Sequence, residues 1–136
     1  MRFAVLVHAT EQSEAGVLPT AELLDQMGRF NETLIKDGIM LAGDGLQPTS
    51  KGARLTFSGG KANVIDGPFA ETKELIAGFW VVQGKSKEEI VERFKHAPML
   101  DGDTLEIRQL FEAEDFGENL SQEMREREER LRASLS

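Results

Sequence analysis

The chain has 136 residues, a formal net charge of −8 and no cysteine, which predicts one compact domain and excludes disulfides, thiol catalysis and thiolate metal sites. An apolar fraction of 40% with 29% charged residues is typical of a folded soluble protein, and an acidic chain without a clustered basic face argues against a nucleic-acid partner. The longest apolar run, residues 3–7, is too short for a membrane span or a secretory signal, so we expect no membrane partner and a cytoplasmic location.

The first predicted element is a strand over residues 3–7 that ends at His8. Its unbroken apolar and β-branched character indicates a strand buried on both faces. A loop is expected over residues 9–18. Thr20 then caps a helix predicted over residues 20–37, whose apolar residues recur at helical spacing. These residues are Leu23, Leu24, Met27, Phe30, Leu34 and Ile35.

A second strand is predicted over residues 39–42, ended by the turn-like sequence Gly43-Asp44-Gly45. Two short β-prone runs, 53–57 and 62–65, are joined by a Gly-Gly pair, which supplies the positive φ that a tight hairpin needs. The hairpin stops at Asp66-Gly67-Pro68, a strong turn signal.

The last predicted elements are a strand over residues 78–83, a helix and a strand near an edge. Ser86 and Glu89 have the spacing of a capping box at the helix start, and Pro98 follows its end. In the final segment Leu105 and Ile107 alternate with Glu106 and Arg108, which indicates a half-exposed strand.

Without the hairpin, the order strand, helix, strand, strand, helix, strand predicts a ferredoxin-like split βαβ fold of the α+β class. Both helices would cover one face of an antiparallel sheet. Because Phe79, Val81 and the first strand are apolar on both sides, the other face also needs cover. A second subunit stacked sheet to sheet would supply it, and we expect a homodimer. The alternative is that the hairpin and the C-terminal tail fold back over this face.

The segment 112–136 differs in character from the predicted domain, 1–111. It is acidic, and Ser121 could cap a helix over residues 121–134 with favourable Glu–Arg pairs four residues apart. Either this tail is a solvated helix on the surface, or it is an arm that packs on the partner subunit.

Three residues at strand ends are candidates for acid–base chemistry. Asp66 leaves the hairpin at the turn and is either a carboxylate base at the mouth of a cleft or a turn-former that bonds backbone N–H groups. Asp44 lies between two glycines and has the same two interpretations. His8 closes the first strand and is either a general acid or base or a hydrogen-bonded structural residue.

The sequence points to no metal or cofactor. Two histidines without cysteine make a dedicated zinc site a poor hypothesis, and phosphate-loop and metalloprotease motifs are absent. Arg54 and Lys73 are the best candidates to meet an anionic group of a ligand.

The run from Asp66 to Glu74, DGPFAETKE, resembles the DGPF branch of the YCII-related proteins. Residues 43–48 also match, and the resemblance covers roughly residues 1–111. It implies a ferredoxin-like domain of the dimeric α/β-barrel type, with a site built around an Asp and a His. Asp66 is the aspartate of this motif, and His8 is the partner that the residues themselves suggest. Within the turn, Gly67 and Phe69 are expected to contact the ligand.

Two functions remain open on the sequence alone, and a third interpretation is that the DGPF segment is purely a fold-specifying turn. The first is an enzyme acting on an unknown small molecule, with Asp66, His8 and Asp44 as its acid–base groups. The second is a non-catalytic ligand-binding or regulatory dimer. The resemblance supports a regulatory role because relatives often accompany alternative sigma factors, which implies transcriptional or stress signalling.

Overall fold

The computed structural model describes residues 1–135, so Ser136, the last residue of the predicted tail, lies outside the described residues. Ten helices and strands, besides short 3₁₀ turns, follow each other along this part of the chain. In chain order they are β1 (Arg2–His8), α1 (Glu11–Glu14), α2 (Ala21–Lys36), β2 (Met40–Gly45), β3 (Ala53–Ser58), β4 (Lys61–Asp66), β5 (Ile76–Gln83), α3 (Lys87–Phe94), β6 (Leu105–Gln109) and α4 (Gln122–Ser134).

The main sheet has four strands in the order β2-β5-β1-β6, and all neighbouring pairs are antiparallel. β3 and β4 form a separate two-stranded hairpin inserted between β2 and β5. This order confirms the predicted ferredoxin-like α+β fold with an inserted hairpin and a helical tail.

The core lies between one face of the sheet and helices α2 and α3. It contains alternate residues of β1 and β5 together with one or two residues from each helix. The fully or nearly buried side chains are Phe3, Val5, Leu34, Ile39, Trp80, Val82, Ile90 and Phe94. Phe30, Trp80 and Phe94 meet edge to face, and the indole N–H of Trp80 donates to Asn31 at 2.8 Å, so the buried indole keeps a polar partner.

Helix starts follow the predicted caps, with one correction. Thr20 and Ser121 each accept a backbone N–H three residues on, which caps α2 and α4. Ser86 also accepts the N–H of Glu89, but the Glu89 carboxylate accepts from the backbone of Lys85 and not from that of Ser86. The reciprocal half of the predicted capping box is therefore displaced by one residue.

Two further expectations are wrong. The predicted loop over residues 9–18 contains the short helix α1, which starts where Thr10 and Ser13 cap each other reciprocally. The predicted turn Gly43-Asp44-Gly45 belongs to β2, because β5 starts early enough for Asp44 to pair with Phe79. Tertiary pairing overrides the local preference of glycine and aspartate for turns.

Among the described residues, no helix of the core lies on the second face of the sheet. Alternation along the strands puts Ala4, Leu6, Phe79 and Val81 on this helix-free face. Every residue of β3 and β4 is exposed, and α4 has no buried residue. The hairpin and the tail therefore do not fold into a second core layer, as the alternative to a dimer would require.

A bidentate ion pair connects the start of the tail to the first strand. Arg2 donates to both carboxylate oxygens of Glu112, at 2.8 and 3.2 Å. This hydrogen bond lowers the pKa of Glu112 below its ordinary value and raises that of Arg2. Beyond it, Ala113–Asn119 forms a 3₁₀ segment kinked at Gly117, where φ is +57°.

We expect an NMR titration to place the carboxyl midpoint of Glu112 below the ordinary value for a glutamate side chain. Because the folded pKa is lowered, the ion pair stabilises the fold above the unfolded value of about 4.3, and this contribution is lost as the pH falls through the folded pKa. The gain in the free energy of unfolding is small because both side chains are partly exposed. Arg2→Gln should return Glu112 to an ordinary midpoint; an unchanged midpoint would contradict the pairing.

Candidate functional site

The candidate His8 pairs with Glu106 on the helix-free face. Nε2 of His8 lies 2.9 Å from Oε1 of Glu106, and the two side chains are 27% and 42% exposed. An ionised carboxylate only accepts hydrogen bonds, so Nε2 carries the proton, and in the neutral imidazole Nδ1 then keeps a lone pair. Among residues 1–135, Nδ1 makes no hydrogen bond. The pair therefore presents an oriented basic nitrogen.

Strand register places Asp44 on the same face as this pair. Asp44 is opposite Phe79, Phe79 is opposite Leu6, and Leu6 is opposite Glu106. With about 4.8 Å between strands, Asp44 and Glu106 lie roughly 14 Å apart at the two edges of one row. The carboxylate of Asp44 is exposed and has no hydrogen-bond or ion-pair partner within the described chain. Two carboxylates thus flank an apolar floor of Phe79 and Leu6.

The DGPF turn, residues 66–69, leaves the hairpin at the same end of the sheet. β1 ends at His8 and β2 ends at Gly45, while β5 begins at Ile76 opposite His8. Backbone bonds from Ala9 to Leu75 and from Leu46 to Ala77 close this end. The topology therefore brings the three strand-end candidates of the sequence to one end of the fold.

The DGPF turn is fixed against the 3₁₀ turn Thr49–Lys51. A β-carbon on Gly67 would lie 1.7 Å from the carbonyl oxygen of Thr49, so only glycine fits this close approach. The N–H of Gly67 donates to Gly52, and the N–H of Phe69 donates to the Thr49 hydroxyl at 3.1 Å. Gly67 is thus placed as a packing residue of the turn.

Thr49 is itself hydrogen-bonded to Glu14, the last residue of α1. Its carboxylate accepts from the Thr49 hydroxyl at 2.6 Å and from the Thr49 backbone N–H at 3.1 Å. A chain of hydrogen bonds therefore runs from the segment after His8 to the DGPF turn. Sequence reasoning missed Glu14 and Thr49, because residues so far apart in the chain carry no local signal of their contact.

Asp66 is the last residue of β4, opposite Ala53, and is exposed. The turn-forming role expected for it is not observed: the N–H groups of Gly67 and Phe69 have other acceptors, and proline has none to offer. Within the described residues its carboxylate has no hydrogen-bond or ion-pair partner. The structure records no direct contact between Asp66 and His8.

The two predicted cationic ligand contacts differ in their surroundings. The guanidinium of Arg54 stacks on the ring of Phe69, with Cζ 3.9 Å from the ring centroid, so these two predicted ligand-contacting residues meet. Lys73 lies in the 3₁₀ turn Thr72–Glu74 and is exposed. No ion pair engages Lys73 in the part of the chain that the structure describes.

An open cleft of about 500 Å³ lies beside this end of the sheet. Its walls come from the segment that follows His8 and from the 3₁₀ turn that follows the DGPF motif. The lining residues are Ala9, Thr10, Glu11, Glu71, Thr72, Lys73 and Gly102. The cleft begins one residue after His8, but neither His8 nor Glu106 lines it, so the cleft and the histidine pair are neighbouring features.

Glu106 is the functional candidate that the sequence could have revealed. Its alternation with Leu105 and Ile107 already puts it on the polar side of the last strand, and a ferredoxin-like order places that strand next to β1. Only the register, Leu6 opposite Glu106, brings its carboxylate within reach of His8.

The residues described, 1–135, contain no group of three or more acidic, histidine or cysteine side chains arranged to hold a metal ion. No helix in the same range is long and apolar enough to cross a membrane.

The antiparallel order β2-β5-β1-β6 with two helices on one face defines a ferredoxin-like α+β protein whose helix-free face carries a histidine–carboxylate pair. The chain belongs to the YCII-related family, because a model of the YCII-related domain matches residues 1–114.

Two individual proteins resemble the chain in part. An uncharacterized protein of Rhizobium meliloti (strain 1021) is 45% identical over 47 residues, which is 35% of this chain and 38% of that protein. The chain thus spans well under half the length of this relative. A solved structure of 5-chloro-2-hydroxyhydroquinone dehydrochlorinase from Burkholderia phenoliruptrix AC1100, in complex with 2,5-dihydroxybenzoquinone, is 13% identical with a TM-score of 0.45, over 85% of this chain and 98% of that one.

Proposed function

We propose that the protein is a small-molecule enzyme in which His8, held by Glu106, acts as the general base. The observation that carries this proposal is the 2.9 Å contact between Nε2 of His8 and Glu106, which leaves Nδ1 free within the described chain. Histidine is the side chain that most often transfers protons near neutral pH. A carboxylate on its other nitrogen fixes the tautomer and stabilises the imidazolium when it forms.

The other candidate residues would bind the substrate or transfer protons according to their positions around His8. Asp44 faces the same apolar floor from the opposite edge of the sheet, where it can return a proton to the substrate or bind a polar group of it. Asp66 in the DGPF turn and Lys73 in the wall of the neighbouring cleft would bind polar groups of the substrate from the same end of the sheet. Arg54 and Phe69 form a stacked pair that would contact an anionic or aromatic substituent.

A homodimer would complete this site. Leu6, Phe79, Ala4 and Val81 form an apolar strip on the helix-free face, and neither α2 nor α3 covers it, because both pack on the opposite face. Stacking two such faces would remove water from the strip and from the His8–Glu106 pair, and a drier site strengthens electrostatic effects on a bound substrate. We propose further that the protein belongs to the DGPF branch of the family and is cytoplasmic. Its domain would comprise residues 1–111, followed by a separate tail.

A thermal-shift screen of a metabolite library tests the proposal. A compound that binds the folded state raises the melting temperature through mass action. We expect at least one compound to stabilise the wild type and to lose that effect in His8→Gln and in Asp66→Asn. His96→Gln is the matched control, since His96 is exposed after α3 and outside the site. If every stabilising compound keeps its shift in both site variants, the site lies elsewhere.

A further inference from the structure

The last strand of the main sheet, β6, has an unpaired outer edge. The sheet ends at β6, which pairs with β1 on one side only. Leu110 donates to Arg2 and His8 donates to Thr104, and these two bonds fix which residues of β6 bond β1, because the bonding direction alternates along an antiparallel strand. The even-numbered residues of β6 bond β1. The residues of β6 whose backbone N–H and C=O groups point outward are Leu105, Ile107 and Gln109.

The outward backbone groups of β6 are available to another strand. Among residues 1–135, none of them has a hydrogen-bond partner. A row of unpaired N–H and C=O groups at the edge of a sheet is a template for pairing with a further chain. An open cleft of about 400 Å³ lies where this edge ends, lined by Gln109, Leu110, Phe111 and Asp115. A second strand therefore has room beside the end of β6.

The charges on β6 are complementary to those of a second β6 strand. Glu106 and Arg108 lie on the same side of the strand, the helix-free side, opposite Leu6 and Ala4 of β1. If two β6 strands run antiparallel with Ile107 opposite its own copy, Glu106 of each strand lies directly opposite Arg108 of the other. Opposite charges in such positions stabilise a pair of strands, and like charges destabilise it.

Backbone geometry and charge select the same register. A two-fold axis perpendicular to the sheet at Ile107 places outward residues opposite outward residues, so their N–H and C=O groups can bond. It also keeps the helix-free sides of both copies on the same side of the extended sheet. An axis at Glu106 would place two carboxylates opposite each other, and an axis at Arg108 would do the same with two guanidinium groups. Pairing at Ile107 is therefore the register that the residues of β6 favour.

We propose that β6 pairs antiparallel with β6 of a second copy about a two-fold axis at Ile107, which continues the sheet across two chains. Arg108 of the second copy then lies next to Glu106. The Oε2 atom of Glu106 is 3.9 Å from Arg108 of its own chain, beyond hydrogen-bond distance, so it can accept from the second copy.

The pairing brings a residue of the second copy beside the His8–Glu106 pair. It goes beyond the proposed function, because it assigns a partner to a strand edge that the acid–base chemistry does not use. The edge and the helix-free face are different surfaces of the sheet, so edge pairing does not require the stacked homodimer.

Disulfide trapping tests this register in the full chain, because the protein has no cysteine and every disulfide is therefore an engineered one. Glu106→Cys protein is mixed with Arg108→Cys protein under mild oxidation. Opposite residues of a pair without mutual hydrogen bonds have Cα atoms about 4.5 Å apart, a distance that a disulfide spans. The second Glu106–Arg108 contact of this mixed pair stays intact.

We expect the mixed disulfide, of about twice the 15.1 kDa chain mass, to form at least about tenfold faster than the disulfide of either variant alone, because a paired edge raises the effective concentration. In either variant alone the two cysteines would be offset by two residues along the strands, too far for a disulfide. Leu18→Cys mixed with Arg108→Cys gives the rate of random collision, since Leu18 is 84% exposed and lies outside β6.

A backbone variant distinguishes edge pairing from stacked faces. The N–H of Gln109 points outward, so Gln109→Pro removes no bond to β1, and proline is accepted on edge strands. Added to both proteins, Gln109→Pro should slow the mixed trapping at least about tenfold, because proline at an edge blocks a further strand. Gln109→Ala, which keeps the N–H, is the matched control and should leave the rate unchanged.

Charge exchange gives an arm that leaves the backbone unaltered. In Ile107→Cys protein the proposed axis places each cysteine opposite its copy. Adding Arg108→Glu should slow this trapping, and adding Glu106→Arg to that variant should restore it.

Three results would overturn the proposal. The first is mixed trapping no faster than with Leu18→Cys. The second is a faster disulfide in Arg108→Cys or Glu106→Cys alone, which would assign another register. The third is mixed trapping that Gln109→Pro leaves unchanged, which would place the cysteines between stacked faces.

Discussion

Replacing Gly67 with alanine is expected to lower the free energy of unfolding by about 3 kcal/mol, the upper part of the usual range for overpacking. The new β-carbon would stand 1.7 Å from the carbonyl oxygen and 2.6 Å from the carbonyl carbon of Thr49. Both are backbone atoms, so no side chain can rotate away. The DGPF turn must separate from the Thr49–Lys51 turn, which also breaks the N–H bonds that Gly67 and Phe69 donate.

Gly52→Ala is the matched control for this prediction, measured by urea unfolding. A β-carbon on Gly52 would meet the same Thr49 carbonyl oxygen at 3.6 Å, an ordinary contact, and the backbone of Gly52 is extended. The two variants therefore differ in the distance between the new β-carbon and the carbonyl oxygen of Thr49. Equal midpoints for Gly67→Ala, Gly52→Ala and the wild type would show that the DGPF turn is not packed as described.

The fold was predictable because its signals are local and periodic. Apolar spacing located α2, the Gly-Gly pair located the hairpin, and the order of elements defined the sheet. The exceptions have two different causes, one distant in the chain and one local. Asp44 lies in a strand because β5 extends beside it, and α1 forms inside a predicted loop because Thr10 and Ser13 satisfy its first N–H groups.

The candidate site was predictable only in outline. Its location at one end of the sheet follows from strand ends, and His8 and Asp44 lie on the expected face. The partner of His8 does not follow from strand ends, because the register of β6 against β1 brings Glu106 to it. A turn aspartate such as Asp66 has a strong local pattern, whereas the alternation around Glu106 indicates only a polar, exposed position and no partner.

For the substrate that the metabolite screen identifies, His8→Gln is expected to lower kcat/KM by about 10²–10⁴, the usual contribution of a general acid or base. Glutamine retains a polar side chain of similar reach but cannot take up a proton near neutral pH. Glu106→Gln should lower kcat/KM by less, because an amide oxygen can still accept the Nε2 proton while it no longer stabilises the imidazolium.

A double variant that combines His8→Gln with Glu106→Gln shows whether these two residues act as a unit. If Glu106 works only through His8, the loss in the double variant equals the loss in His8→Gln alone, because groups that act together are not additive. Fully additive losses would assign Glu106 a separate contact with substrate. His96→Gln should keep wild-type kcat/KM, and a His8→Gln enzyme as active as that control would refute general-base catalysis at His8. In that case an activity lost in Asp66→Asn but kept in His8→Gln would place the chemistry at the DGPF turn.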